Sequence, residues 1–337
     1  MTLSWTVHEL HLRHTFRISR SASDVARVVI LRLEHDGIVG YGEASPTRRY
    51  GETPETVTAF LASLDLSRYE SPMMLEDILA AVEAAAPGNT SAKCAVDLAL
   101  HDWMGKKLGV PLYALWGLTP ERAPLSSFTI AIDSTEVVRK KVEEAAEFPI
   151  LKVKLGGDND EEMISTIRSM TDKTLYVDAN EGWKDRETAL ARVRWLKDKN
   201  IGFIEQPMPA AQLDDLRWLR ERSEIPLIAD ESVVRLDAIP SLAGAFDGIN
   251  IKLMKCTGLR EAMRMIAVAR ALKMKVMMGC MIETAVGISA GAQLAPLLDY
   301  ADLDGNVLIT DDPFDGVRNT AGRLTLTPRP GHGAVPR

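Results

Sequence analysis

The chain has 337 residues, 46% of them hydrophobic and 26% charged, and a net charge of -7. That length can bury one large barrel with an accessory unit, while the acidic balance and absence of a long basic run leave no electrostatic footprint for nucleic acid. No apolar run approaches a membrane-spanning length, and the opening MTLSWTVHELHLRH alternates and carries charge early where a leader would have a basic start and an apolar run, so a cytoplasmic protein is expected.

The first hundred or so residues read as strands followed by helices. WTVHELHL and ARVVILRLEHDGIVGYGEASP show strand alternation or β-branched runs, with Asp36 and Gly37 as a hairpin turn. From Thr53 to about Leu108 the period becomes helical: Cys94, Asp97, Leu98 and His101 fall at i, i+3, i+4 and i+7, and Gly109 is a stop signal. His101 reads as a structural histidine. After the link LWGLTPERAPL, short apolar strands recur at SFTIAI, ILKVKL, TLYVDA, GFIEQP, PLIADE, GINIKL and KVMMGC, with YADLDG as a weaker last one. Their spacing of roughly 20 to 28 residues suits a strand, a helix and two loops. No Gly-rich dinucleotide fingerprint follows any strand, which favours a parallel barrel over a doubly wound sheet. The tail from about Asp315 has no helical period and is expected to pack back on the first unit. Cys94, Cys256 and Cys280 lie far apart with no CxxC pair, so they read as buried thiols, not disulfides or metal ligands.

Chemistry in parallel barrels sits where strands end. The second strand carries Lys152 and Lys154, two lysines on one face of an otherwise apolar strand. Asp178 and Asn180 end the third strand, Glu205 the fourth, and Asp230 and Glu231 the fifth. Lys252 and Lys255 follow at the sixth, Glu283 at the seventh, and Asp302 and Asp304 at the eighth. Carboxylates from three adjacent strands, Asp178, Glu205 and Asp230, offer a hard divalent cation a few oxygen ligands on a rigid frame. Mg²⁺ is the expected cofactor, with Mn²⁺ as a substitute. Lys154 and Lys255 come from nearly opposite sides, so one can remove an α-proton beside a metal-bound carboxylate and the other return a proton to the opposite face. Lys152, a like charge on the same strand, is read as the partner that tunes the base and steadies the enolate. Asn180 and Glu231 are expected to orient the metal ligands.

The succession KxK, VDAN, EQP, ADES, IKLMK and GCMIE resembles the enolase superfamily, in its muconate-lactonizing subgroup, and most of all the dipeptide epimerases. The early GYGEASPTRRYGE resembles their capping-domain loop. The resemblance implies an α/β fold: a modified (β/α)7β TIM barrel under an N-terminal α+β capping domain. It places the cap at 1–115, the barrel at 116–315, and a C-terminal segment at 316–337 that returns to the cap. It also implies that Asp178, Glu205 and Asp230 bind Mg²⁺, that Lys154 and Lys255 are the acid/base pair, and that Lys152 contacts the substrate carboxylate. Asp302 and Asp304, on one face of the last strand, would hold the ammonium of a dipeptide, with Glu283 beside the substrate. Specificity is assigned to the loop RISRSASDVAR, through Arg20 and Asp24, with Arg17, Arg27, Arg48 and Arg49 as further cations; the side chain accepted is open between acidic, apolar and cationic. The activity implied is epimerisation of the C-terminal residue of an L-Ala dipeptide by two-base 1,1-proton transfer. Ala-Glu from peptidoglycan is favoured. A cycloisomerase or o-succinylbenzoate synthase of the same subgroup, and a non-catalytic metal-binding relative, are the alternatives. The expected partners are a small dipeptide and further copies of the chain, without nucleic acid or membrane.

Overall fold

Alternation at the N-terminus yields an antiparallel sheet of β1 (Thr2–Ile18), β2 (Ser21–His35) and β3 (Ile38–Ala44), in that order. The computed structural model describes residues 1–18 and 21–337. Asp36 and Gly37 join β2 to β3 with φ of 50° and 69°, the two positive values of a type I′ turn, and His35 pairs with Ile38. Three helices, α1 (Pro54–Ser63), α2 (Leu75–Ala85) and α3 (Thr90–Leu108), complete this cap. Gly40 and Gly42 let β3 press against α3: a Cβ there would lie 2.1 Å from the Ala99 carbonyl oxygen and 1.9 Å from that of Ala95. His101 is buried in α3 with its Nδ1 2.9 Å from the Asp97 carbonyl, the structural role expected of it.

A short helix α4 (Leu112–Leu115) leads into repeated strand and helix units. They run β4 (Phe128–Ile130), α5 (Thr135–Glu144), β5 (Ile150–Lys154), α6 (Asp160–Arg168), β6 (Thr174–Asp178) and α7 (Arg186–Leu196). Then come β7 (Ile201–Glu205), α8 (Leu213–Arg220), β8 (Leu227–Ala229), α9 (Ile239–Leu242) and β9 (Gly248–Ile251). The last are α10 (Leu253–Cys256), α11 (Leu259–Ala271), β10 (Lys275–Gly279), α12 (Ala285–Ala292) and β11 (Tyr300–Asp302). The eight strands lie side by side in chain order, all parallel. A bridge from Ser126 to Ala301 nearly closes the sheet into a barrel, and β11 has no helix of its own, so the (β/α)7β expectation holds.

The period of two sorts each strand. Leu151, Val153, Leu175 and Val177 face the surrounding helices and join the main core. Tyr176, Phe203, Ile228 and Met277 fill the barrel interior, with the Tyr176 and Phe203 rings stacked at 4.1 Å. Two residues further along the same interior face stand Asp178, Glu205 and Asp230. An apolar floor therefore carries a charged upper layer. The cap lies over that layer and is tied to it: Asp97 of α3 accepts from the backbone N–H groups of Leu259 at 2.6 Å and Arg260 at 3.2 Å, capping α11. The tail forms two small ribbons, β12 (Phe314–Asp315) with β15 (Val335–Pro336) and β13 (Arg318–Thr320) with β14 (Arg323–Thr325). It then meets the cap, where the His332 N–H donates to Asp102 at 3.1 Å and its ring Nε2 lies 2.9 Å from the Tyr41 carbonyl. Among the described residues no helix is long and apolar enough to cross a membrane.

Candidate active site

Strand register sets the site. Lys154 pairs with Asp178 and Asp178 with Glu205, so the three side chains enter the barrel at one level from neighbouring strands. Ligand oxygens of Asp178, Glu205 and Asp230 all lie within 4.8 Å of one another, and the three residues are buried. Lys154 Nζ is 2.6 Å from Asp178, and Lys252 Nζ is 2.9 Å from Asp230. Lys152 is buried, 2.7 Å from both Glu205 and Asp302 and 3.2 Å from Asp178. Two lysines can therefore occupy one barrel strand: an unpaired ammonium would be untenable there, and Asp178, Glu205 and Asp302 surround Lys152 while Asp178 also pairs with Lys154.

The electrostatics follow from burial and proximity. Burial opposes ionisation of Asp178, but Lys154 and Lys152 hold its carboxyl down to about 2. Glu205 is pushed up to about 8 by burial and the Asp178 charge, against the pull of Lys152. For Asp230 burial is outweighed by Lys252 and Lys255, which hold it well below the usual range. Burial would lower Lys152 and Lys252, yet Asp302 and Glu205 raise the first and Asp230 and Glu205 the second. The cluster is fit for a divalent cation by one further observation. Glu205 Oε2 is buried and receives no aligned hydrogen bond, although the Lys152 ammonium lies 2.7 Å away. An oxygen left in that state is a ligand waiting for a non-directional positive charge.

Polar side chains fix these carboxylates. Asn250 Nδ2 donates to Glu205 Oε1 at 2.8 Å, and Gln206 Oε1 accepts from the N–H groups of Asp230 and Ser232 at 3.0 Å each. The Asn180 N–H donates to Asp178 Oδ1 at 2.9 Å, and its Nδ2 to Glu231 at 3.3 Å. Asn180 and Gln206, which follow close on two of the ligands, have φ of 43° and 35°, left-handed values seldom taken outside glycine. Asn250 and Gln206 are not among the residues that the sequence pattern singles out. Asn250 shares the interior phase of Lys252, two residues on, which is the signal that could have found it.

Above the carboxylates a cavity of about 570 Å³ opens toward the cap. Lys152, Lys154, Lys252, Asp230, Asp302 and Asp304 line its barrel side; Phe16, Ile18 and the turn Thr47 to Tyr50 form much of its roof. Asp302 accepts from Ser127 Oγ at 2.7 Å, and Asp304 accepts from the Thr129 N–H at 2.7 Å. Asp304 is pushed up to about 7 by burial and the Asp302 charge. The cap loop is fastened to the barrel by Ser45 Oγ, which donates to the Ile282 carbonyl at 2.8 Å, and by Arg49, 2.6 Å from Glu181.

Three expected positions stand elsewhere. Lys255 does not face the cavity. α10 begins right after β9 and turns its ammonium into the wall, where it is 1% exposed and donates to the carbonyls of Asp230 at 2.6 Å, Val233 at 3.0 Å and Asn250 at 3.4 Å. Lys252, in phase with Asn250, occupies the side opposite Lys154 instead. Glu283 is buried beside Glu43 at the seam between cap and barrel, accepting from the Met281 N–H at 2.7 Å, and it does not line the cavity. Asp24 is exposed and accepts from Thr15 Oγ1 at 2.6 Å, also outside the cavity lining. Arg20 lies outside the described residues.

A capped (β/α)7β barrel with three convergent carboxylates between lysines of two opposed strands has the architecture of the enolase superfamily. Residues 2–117 match the mandelate racemase / muconate lactonizing enzyme N-terminal domain, and residues 135–337 the enolase C-terminal domain-like family. The chain is 52% identical over 336 residues to an L-Ala-D/L-Glu epimerase of Bacteroides thetaiotaomicron, covering 99% of this chain and 88% of that one. Among solved structures it resembles the substrate-liganded L-Ala-D/L-Glu epimerase from Bacillus subtilis, with a TM-score of 0.92 and 28% identity over 100% of this chain and 98% of that one. It also resembles the dipeptide epimerase from Cytophaga hutchinsonii complexed with Mg and D-Ala-L-Val, with a TM-score of 0.91 and 30% identity over 100% and 96%. The chain belongs to the mandelate racemase/muconate lactonizing enzyme family of the enolase superfamily, in the company of its dipeptide epimerases.

Proposed function

We propose that this protein is a Mg²⁺-dependent dipeptide epimerase that inverts the α-carbon of the C-terminal residue of an L-Ala-L-Xaa dipeptide, with Lys154 and Lys252 as its two bases. The observation that carries the reading is their placement: Lys154 on β5 and Lys252 after β9, four strands apart in an eight-stranded barrel, both line one cavity on either side of the acidic trio. Asp178, Glu205 and Asp230 would hold the metal, with Mn²⁺ as a substitute. Bound there, Mg²⁺ supplies positive charge against the charge that develops on the substrate carboxylate, and it competes for the carboxylates that now favour the protonated lysines. Lys154 takes the α-proton from one face, and Lys252 delivers a proton to the other; the reverse reaction exchanges their roles. Lys152 stands beside the substrate carboxylate as a fixed cation. Asp302 and Asp304 receive the dipeptide ammonium at the far side of the cavity.

The boundaries 1–115, 116–315 and 316–337 are supported by the cap sheet, the barrel strands and the tail that meets Tyr41 and Asp102. We place the enzyme in the cytoplasm as a homo-oligomer acting on peptides released from peptidoglycan; the dipeptide part of this reading is supported by the 52%-identical relative, an L-Ala-D/L-Glu epimerase. The test is incubation with L,L-dipeptides and Mg²⁺ in D₂O, scoring deuterium at the C-terminal α-carbon by mass spectrometry. Exchange with inversion is expected. A folded, metal-loaded protein that exchanges no dipeptide would refute the assignment and favour a cycloisomerase, which needs no partner for an ammonium.

A further inference from the structure

Among the described residues, the cavity holds one more cation than a plain dipeptide requires. Resting on the epimerase reading, the substrate's ammonium is matched by Asp302 and Asp304, and its α-carboxylate by the metal and Lys152. Of the cations lining the cavity, Lys152, Lys154 and Lys252 are each committed to carboxylates of the barrel. Arg49 is committed to Glu181 at 2.6 Å. Arg48 lines the same cavity and, among the described residues, has no carboxylate within ion-pair distance. Arg27 is not among the residues lining the cavity and pairs with Glu55 at 2.9 Å on the surface.

Arg48 is also held firmly for an exposed residue. It sits in a one-turn 3₁₀ helix, Arg48–Tyr50, entered at Thr47 and left through Gly51 at φ 72°. The Tyr50 N–H donates to the Thr47 carbonyl at 3.1 Å, and the Gly51 N–H to the Arg48 carbonyl at 3.1 Å. Glu52 then pins the turn to the start of α3, accepting from the Ser91 N–H at 3.1 Å and from the Thr90 N–H. The backbone at Arg48 is thus fixed, and the exposed side chain carries a planar guanidinium suited to bidentate pairing with a carboxylate. Phe16 and Ile18 supply apolar lining to the same cavity, the Phe16 ring centroid lying 6.0 Å from Lys154 Nζ.

We propose that Arg48 reads the side chain of the residue being epimerised, and that this side chain is acidic. The carboxylate of that residue must point down to the metal, so its side chain rises toward the cap. Its methylenes cross Phe16 and Ile18, and its terminal carboxylate meets Arg48, a guanidinium suited to bidentate pairing. An apolar side chain would use the apolar lining and leave the guanidinium unmatched, and a cationic one would be repelled.

The experiment measures kcat/KM for α-proton exchange with L-Ala-L-Glu, L-Ala-L-Gln, L-Ala-L-Leu and L-Ala-L-Lys. The wild-type protein, Arg48→Ala, Arg48→Lys, Arg48→Glu and Arg20→Ala are compared. Wild type should favour L-Ala-L-Glu. In Arg48→Ala the Glu-over-Leu ratio should fall about 10- to 100-fold, as expected for loss of a charge-assisted contact, and Arg48→Lys should restore part of it. Arg48→Glu should move the preference toward L-Ala-L-Lys. A wild-type preference for L-Ala-L-Leu, an unchanged ratio in Arg48→Ala, or loss of the acid preference in Arg20→Ala alone would overturn the role of Arg48 while leaving the epimerase reading intact. Absence of exchange with every dipeptide would overturn both.

Discussion

Lys252 and Lys255 are three residues apart and both touch Asp230, yet their replacement by methionine should have opposite consequences. Lys255→Met removes a buried ammonium that donates to three backbone carbonyls and leaves Asp230 with Lys252 as its remaining cation. Breaking a buried ion pair costs about 3–5 kcal/mol, and the partner that remains places this case near the lower end. At about 2 °C per kcal/mol for a long chain, Tm should fall by roughly 6 °C. Lys252→Met removes a group that faces the cavity, so its principal effect is chemical: epimerisation should drop by about 10² to 10⁴ as one base is lost. The decisive assay is deuterium incorporation into each epimer separately. With one lysine gone, the remaining one still exchanges the epimer whose α-proton faces it, so Lys154→Met and Lys252→Met should each exchange one epimer, and opposite ones. Full epimerisation by Lys252→Met would refute the reasoning. So would loss of exchange in Lys255→Met at an unchanged Tm.

Stability should fall as pH rises from about 4.5 to about 8, in part through Glu43 and Glu283. Burial pushes Glu43 up to about 7, while burial and the neighbouring Glu43 push Glu283 up to about 8. The folded protein thus keeps protons that the unfolded chain has already released, and the difference disfavours folding as pH climbs. Glu283→Gln, compared with wild type by thermal melts at saturating Mg²⁺, should flatten that slope; a parallel slope would discount the pair. Mg²⁺ at a hundred times its Kd should stabilise the protein by about 2.7 kcal/mol, an increase that chelation reverses and that Asp178→Asn or Glu205→Gln abolishes in melting experiments. Asp304→Asn should raise KM for dipeptides about 10-fold and leave an N-acetylated dipeptide comparatively unaffected, because only the free ammonium has lost one of its two carboxylate partners. It is a cleaner probe than Asp302→Asn, which also releases Lys152.

Much of this site is legible in the chain's local patterns. A period of two puts Lys152 and Lys154 on one face, and recurrence of a carboxylate at three successive strand ends is sufficient to imply convergence, because a parallel barrel brings equivalent strand ends together. The hairpin at Asp36 and Gly37, the helix stop at Gly109 and the structural role of His101 rest on equally local rules. What local rules could not decide is where a side chain goes once its strand has ended. At Lys252 the β period still holds, and the residue stays in phase with Asn250; three residues later α10 has turned the chain, and Lys255 is driven into the wall behind Asp230. Glu283 lies four residues beyond β10, just before α12, and meets Glu43, a residue 240 positions earlier, at the seam of cap and barrel. The separation of Arg48 from Arg49 is of the same kind. Two adjacent arginines look alike in sequence and both line the cavity, but the distant Glu181, on a barrel loop, pairs with Arg49, while Arg48 has no carboxylate partner among the described residues. Sequence alone determined the barrel, its acidic trio and the lysine pair on β5, since those follow from periodicity within single strands. Which lysine opposes Lys154, and which cations are left for a substrate, was decided only by tertiary structure, because both depend on partners that distant segments bring within ion-pair reach.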